Sequence, residues 1–244
     1  MNIAVIGGTG LIGSQVVRIL NGDGHQAVPL SPASGVDLLS GRGLPEALKG
    51  TDVVVNLTNS PTFDDASPAF FQKTMDNMLE TAEAAGVGHA VILSIVGADR
   101  VPGLAYYRAK VLQEDILKTG PVPYSVVRAT QFFEFMPAVL SWTSDQDTVR
   151  LPETLLQPIA SADIAQAVAD VSAGSPLSGT RNVAGPEVFP LNELGKITLA
   201  ARGDKRTVVT DNSAGMFAAA SGDALIAPDG AVIAKTTYRE WLAR

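Results

Sequence analysis

Tyr106 and Lys110 stand four residues apart in Tyr106-Tyr107-Arg108-Ala109-Lys110, and Ser94 precedes that tyrosine by twelve residues. On a helix, a spacing of four puts two side chains on one face. An ammonium beside a phenol favours the phenolate and draws its pKa down from about 10. The pair is therefore expected to give a tyrosine usable as acid or base near neutral pH. Ser94 would bond a carbonyl or hydroxyl and orient it against Tyr106. Tyr107, three residues from Lys110, is the competing phenol. By itself the spacing also describes an ordinary surface pair, so its meaning depends on the elements that position it.

Those elements begin at the amino terminus. The apolar run Asn2-Ile3-Ala4-Val5-Ile6 meets Gly7-Gly8-Thr9-Gly10-Leu11-Ile12-Gly13 and runs on into an amphipathic segment, which reads as strand, glycine-rich turn, helix. Gly8, Gly10 and Gly13 satisfy G-x-G-x-x-G, and Gly7, Gly10 and Gly13 satisfy G-x-x-G-x-x-G. Either register lets a pyrophosphate approach a backbone free of side chains, where the helix amides and dipole hold it. Gly7, Thr9, Gly10, Leu11, Ile12 and Gly13 are thus the expected cofactor turn. Redox chemistry would belong to the dinucleotide, with Lys110 also reaching its nicotinamide ribose.

A second strand is expected over 25–30, with Pro29 better suited to its end than its centre. The residue closing that strand meets the adenine ribose, where a carboxylate favours NAD and a basic group accommodates the 2′-phosphate of NADP. Ser31 supplies neither. A serine does not repel the extra phosphate, so NADP(H) is favoured over NAD(H), and Arg42 is within sequence reach. Asp37-Leu38 reads either as a turn aspartate or as an adenine contact. The run 52–57 is a third strand, apolar enough for burial on both faces, and Thr58 and Asn59 follow at its carboxyl end, beside the cofactor or in a polar turn. A helix is expected over 69–85, closed by Gly86, and a fourth strand over 89–93 that delivers Ser94.

These motifs make the chain resemble the short-chain dehydrogenase/reductases, specifically their atypical NmrA-like, NAD(P)H-binding branch. The residues that carry the resemblance are Gly7 to Gly13, Leu93-Ser94-Ile95-Val96-Gly97, Tyr106 to Lys110 and Arg128-Ala129-Thr130-Gln131-Phe132, with support from Gln157-Pro158-Ile159-Ala160, Asp163-Ile164-Ala165 and Ala184-Gly185-Pro186-Glu187. The resemblance implies an α/β Rossmann fold, a doubly wound parallel sheet with the cofactor along its carboxyl edge. It also implies that Ser94, Tyr106 and Lys110 match the family's serine, tyrosine and lysine, which is what prefers Tyr106 over Tyr107. Two departures stand out: the family's Asn-Ala-Gly after a strand is absent, with only Asn59 nearby, and Pro32 replaces the basic residue that many NADP-binding relatives carry.

Beyond a fifth strand at 124–128 the pattern loosens. We expect 1–130 to form the dinucleotide-binding core, and 131–244 a mixed lobe for substrate, integral to the same unit and holding the last sheet strands. Phe132, Phe133, Phe135, Met136 and Trp142 crowd one stretch; most should be lobe core, with Phe132 lining an apolar pocket. A short strand is expected at 157–159, helices at 162–171, capped by Ser161, 192–201 and 235–242, and strands at 180–184 and 206–209. The alanine-rich 214–222 reads as a lid or a packed helix.

Composition narrows the partners. Net charge −7 and a pI of about 4.8, with no Lys/Arg cluster, argue against nucleic acid. The chain has no cysteine, which removes thiolate catalysis and disulfides. His25 and His89, far apart and each before an apolar run, are expected at strand-edge surfaces, and no metal is expected. No apolar stretch approaches the ~20 residues of a membrane helix, and a strand starting at residue 3 leaves no room for a leader, so a cytoplasmic protein acting on a small molecule is expected. The leading expectation is hydride transfer to a small apolar carbonyl or quinone. The alternatives are a non-catalytic NADP(H)-sensing regulator and an epimerase or dehydratase acting on nucleotide sugars.

Overall fold

The structure, a computed structural model, describes residues 1–244. The first half of the chain alternates strands and helices: β1 (Asn2–Ile6), α1 (Gly13–Gly22), β2 (Gln26–Leu30), α2 (Leu44–Ala47), β3 (Val53–Asn56), α3 (Ser67–Ala84), β4 (His89–Ile95), α4 (Ala105–Thr119) and β5 (Tyr124–Ala129). The second half has shorter elements: α5 (Met136–Trp142), β6 (Thr148–Leu151), β7 (Leu155–Leu156), α6 (Ser161–Ala173), β8 (Gly179–Ala184), β9 (Phe189–Pro190), α7 (Leu191–Ala201), β10 (Thr207–Thr210), β11 (Val232–Ile233) and α8 (Tyr238–Leu242). Seven strands form a sheet in the order β11-β8-β5-β4-β3-β1-β2. It is the parallel, helix-flanked sheet of a Rossmann fold.

β1 lies between β2 and β3, so the chain leaves it toward one side of the sheet and returns to the other, which creates a topological switch point. Register aligns the carboxyl ends there: Ile6 pairs with Leu30 and with Asn56, and Asn56 with Ile92. The residues that follow, Gly7, Ser31 and Leu57, therefore emerge along one edge. Each central strand is a run of β-branched and aliphatic residues, and all four residues of β3 are buried, as sheet faces covered on both sides require. Pro29 pairs with Val5 inside β2, which is tolerated because β2 is the sheet's last strand and has a free side.

Two compact units partition the chain: one of 1–95, 105–128 and 164–181, the other of 96–104, 129–163 and 182–244. In the first, the core joins Ala4, Ile6, Leu30, Val54, Ala90, Ile92 and Val126 of the strands to Met75, Met78, Leu79 and Ala82 of α3 and Leu117 of α4. Helix α3 buries Phe71, Thr74, Met78 and Ala82 as the periodicity requires, with Phe70 only half-buried, and ends before Gly86, whose φ of +73° lets the chain turn away. His89 is a correction: its imidazole is buried, with Nε2 2.8 Å from the Ser125 hydroxyl, because β4 is an interior strand. Burial pushes its pKa below the usual range.

The second unit pairs β6 with β10 in parallel and β7 with β9 in antiparallel fashion. The short strand lies at Leu155–Leu156 rather than 157–159, and Ile159 makes an isolated bridge to Phe132. Phe133 is fully buried against Tyr238 and Trp241, whereas Trp142 is 45% exposed and packs edge-on to Phe135. Ser161 opens α6, and its hydroxyl donates to Glu134 (2.6 Å), which also accepts from the Trp241 indole (3.2 Å). Helix α8 starts later than expected, at Tyr238, where Thr237 and Glu240 bond reciprocally. The 214–222 stretch holds a single 3₁₀ turn at Met216–Ala219 with Phe217 buried.

Candidate functional site

The glycine turn is built so that side chains are excluded. A Cβ on Gly13 would lie 2.2 Å from the Gly7 carbonyl oxygen, and one on Gly8 would lie 2.6 Å from the Val5 oxygen. Gly7 has a φ of +77° and abuts the Leu57 carbonyl, which ties the turn to the carboxyl end of β3. Gly10 differs, since its Cβ would come no nearer than 3.3 Å to any neighbour, so that glycine is not required by internal packing. Thr9, Gly10 and Leu11 form the exposed rim, while Ile12 and Gly13 are buried beneath it. No side chain caps the amino terminus of α1, and no acidic residue occupies its first turn. Its first amides and positive dipole end are thus presented without a competing carboxylate, a fit for an anionic pyrophosphate.

Ser31 follows β2 and is buried, with its backbone amide and carbonyl both bonded to the Ser34 hydroxyl (2.9 Å each). Asp37 holds a turn, its carboxylate accepting from the Ser40 hydroxyl (2.7 Å) and the Leu39 amide (3.0 Å). The Ser40 bond holds its pKa below the ordinary range. Arg42 meets Asp37 through the backbone (2.9 Å), and Leu38 is buried in the core. At the end of β3 the Thr58 hydroxyl and amide both donate to the Asn56 side-chain oxygen (2.6 and 3.0 Å), and Asn59 Oδ1 accepts from the Tyr106 hydroxyl.

The three residues of the expected catalytic set each meet a different partner. Tyr106, in the first turn of α4, is nearly buried and touches the rings of Phe63, Phe71 and Tyr107. Its pKa is the opposite of the sequence expectation. Burial and the neighbouring Tyr107 raise it well above 10, against the opposing effect of the hydrogen bond to Asn59. Lys110 does share the helix face, yet its amine donates to the Leu93 carbonyl (2.7 Å) and to Gln113 Oε1 and sits 4.9 Å above the Phe71 ring. Enclosed in this way, Lys110 is pushed down to about 7 by burial, with Glu114 opposing. A lysine so desolvated supplies little field to depress a phenol.

Ser94 lies within β4, one residue before its end, and its hydroxyl donates to Glu114 Oε1 (2.6 Å). Glu114 is fully buried and is held at both oxygens by Arg128 (2.8 Å each) and by Lys118 (3.2 Å). Burial alone would raise this carboxyl, but Arg128, Ser94 and Lys118 together hold it below the usual range. With its proton given to a carboxylate, Ser94 offers the sheet edge an acceptor and no donor. Sequence reasoning assigned no role to Asn56, Gln113, Glu114 or Arg128. The legible signal was Arg128 inside the apolar run Ser125-Val126-Val127-Arg128-Ala129, because a charge in a buried strand demands a carboxylate partner. Phe132, in the second unit, is half-buried.

A side-chain-free turn at the switch point of a parallel sheet, opening an uncapped helix, defines a dinucleotide-binding α/β protein of the Rossmann type. A family model described as NAD(P)H-binding matches residues 7–173, and the chain belongs to that family. Among relatives, it is 26% identical over 220 residues to the prestalk A differentiation protein A of Dictyostelium discoideum, covering 81% of this chain and 68% of that one. It is 25% identical over 149 residues to the photosystem II assembly factor Ycf39 of Cyanophora paradoxa, covering 55% of this chain and 46% of that one. The chain thus spans about half the length of such assembly factors. Among solved structures it is similar to an Escherichia coli NADPH-dependent quinone oxidoreductase complexed with NADPH (TM-score 0.70, 20% identity, 99% and 98% coverage). It is also similar to the Thermus thermophilus UDP-glucose 4-epimerase in complex with NAD (TM-score 0.72, 17% identity, 88% of each chain). At these identities the likeness is one of fold. No helix is long and apolar enough to cross a membrane.

Proposed function

We propose that the chain is an NAD(P)H-dependent reductase of a small, mostly apolar quinone or carbonyl compound, with Tyr106 as its proton donor. The observation that carries this reading is the place of Tyr106, a buried phenol in the first turn of α4 whose hydroxyl donates to Asn59 just beyond the carboxyl end of β3. A phenol that keeps its proton is fit to give it to an oxygen gaining negative charge and unfit to take one from a hydroxyl. That favours reduction over oxidation.

The turn from Gly7 to Gly13, with Thr9, Leu11 and Ile12, would hold the pyrophosphate; Ser31 would lie toward the adenine ribose, Asp37 and Leu38 toward the adenine, and Thr58 and Asn59 along the edge. Because Ser31 places no carboxylate against a 2′-phosphate, NADP(H) is preferred over NAD(H). Lys110 would exchange its bond to Gln113 for a ribose hydroxyl. The bound cofactor supplies the hydride. Tyr106 then gives the balancing proton to the acceptor oxygen and recovers it from solvent, so the acceptor gains two electrons and two hydrogens. Ser94, an acceptor only, receives a hydrogen bond from the reduced product rather than polarising the substrate.

One observation favours a second reading. Ser94 and Lys110 are both committed to internal partners, and a regulator that senses NADP(H) needs the glycine turn and no acid–base group. NADPH and NADH oxidation should be measured against aldehydes, ketones and quinones for wild type and Tyr106→Phe, with cofactor titrations alongside. General acid catalysis contributes about 10²-fold or more, so ketone turnover should fall by that much while cofactor affinity stays within about twofold. Quinones should lose less, since a hydroquinone anion needs no donor. Tight cofactor binding with no turnover of any acceptor would sink the reductase and leave the sensor.

A further inference from the structure

Phe63 is 47% exposed, yet its ring meets the Tyr106 ring edge-on with centroids 4.8 Å apart. An exposed phenylalanine on a loop ordinarily signifies little. This one is held where it is. The loop from β3 to α3 is fastened by Ser67, whose buried hydroxyl donates to the Thr62 carbonyl (2.7 Å) and pairs with the Ser60 hydroxyl (3.0 Å). At the other flank of Phe63, Asp64 accepts from the Thr62 hydroxyl (2.8 Å) and the Ala66 amide (3.0 Å). The same loop carries Asn59, the hydrogen-bond partner of Tyr106. One segment thus sets both the hydrogen bond of the phenol and the ring beside it.

We infer that Phe63 is the specificity-determining residue of this site, the aromatic platform that holds a planar, conjugated, uncharged acceptor such as a quinone ring beside the Tyr106 hydroxyl. The inference rests on the reductase reading and narrows it. A ring stacks on a ring with an energy that an aliphatic carbonyl compound cannot match. Charge sharpens the choice. Asp64 and Asp65 follow Phe63 on the same exposed loop, the backbone amide of Ala66 keeps the Asp64 carboxyl below its ordinary pKa, and Asp65 is exposed and pairs with Arg108 at 3.4 Å. Two carboxylates on the loop that carries the ring discourage acceptors bearing carboxylate, sulfonate or diphosphate groups.

The test compares 1,4-naphthoquinone, its 2-sulfonate and 2,3-butanedione as acceptors for wild type, Phe63→Ala, Phe63→Leu and Phe63→Trp, with melting temperature as the folding control. Phe63→Ala and Phe63→Leu should raise KM for naphthoquinone about tenfold, with kcat and the KM for butanedione within about twofold, and Phe63→Trp should restore wild-type behaviour. The sulfonate should be a poorer acceptor than its parent, and Asp64→Asn with Asp65→Asn should narrow that gap. Equal losses for naphthoquinone and butanedione, or no change in either, overturn the assignment. Calorimetric titration of naphthoquinone into the NADP+-loaded protein separates the two readings. Binding that weakens in Phe63→Ala without turnover in wild type refutes the reductase and keeps the platform, whereas no binding to wild type refutes the platform.

Discussion

Gly10 and Gly13 occupy one motif but are glycine for different reasons, and alanine at each should separate folding from cofactor binding. At Gly13 the added methyl would stand 2.2 Å from the Gly7 oxygen and 2.7 Å from the Gly8 Cα, both backbone atoms that cannot step aside. Overpacking of this kind costs about 1–3 kcal/mol, which for a chain of this size corresponds to a fall in Tm of roughly 2–12 °C. At Gly10 φ is not positive, and the nearest atom to the new methyl is the Gly7 oxygen at 3.3 Å, so the folded state should barely register it. The same methyl nevertheless projects from the exposed rim where a pyrophosphate would meet the amides. Loss of one or two charge-assisted hydrogen bonds, each worth about 1.5–3 kcal/mol, weakens binding by about tenfold to about twenty-thousandfold. Gly22→Ala is the control, since nothing lies within 4 Å of its Cβ position. Thermal melts and NADPH titration by fluorescence are the assays. A Gly10→Ala protein that binds NADPH like wild type would refute the placement of the cofactor on this turn, even if Gly13→Ala melts low as expected.

The parts of the molecule that were legible in advance are those in which a short window of sequence carries its own environment. β1 and β3 are apolar runs because strands covered on both faces can be nothing else, and the helix ends at Gly86 and Gly203 are marked by residues with φ of +73° and +66°. Pro29 could be placed only loosely, because sequence does not say which strand lies at an edge. The chemistry around Tyr106 was the least legible. Spacing puts Tyr106 and Lys110 on one face, but whether an ammonium lowers the phenol's pKa depends on who else is near. Gln113, the Leu93 carbonyl and Phe71 enclose Lys110, and two of these come from other elements. Lys110, Glu114 and Lys118, spaced by four, would read as an exposed charge ladder. Arg128, from β5, turns its middle member into a buried ion pair and thereby fixes the direction of the Ser94 hydroxyl. Long-range partners of that kind leave only an indirect trace, a charge inside an apolar strand.

Two further perturbations follow from these buried charges. Glu114→Ala removes one half of the buried pair with Arg128 and should cost about 3–5 kcal/mol, seen as a fall in Tm of roughly 6–20 °C; a loss within 1 °C would show that the pair is solvated. Since the Glu114 carboxyl is held below its ordinary 4.5, its stabilisation is complete above that pH and is lost as pH falls through the folded value, so Glu114→Gln should flatten the acid limb of a urea-unfolding series. Lys110 gives a slope of the same sign in a higher range. Its folded pKa of about 7 lies below the 10.5 of the unfolded chain, so between these values the unfolded state binds the extra proton, and stability rises with pH at up to about 1.4 kcal/mol per unit. Above pH 10 the raised Tyr106 reverses the trend, because the unfolded phenol ionises first. The informative window is therefore pH 7–10, where wild type should gain stability steadily and Lys110→Met should not. Parallel curves for the two proteins would mean that Lys110 keeps its charge in the folded state, and the ammonium would again be available to act on Tyr106.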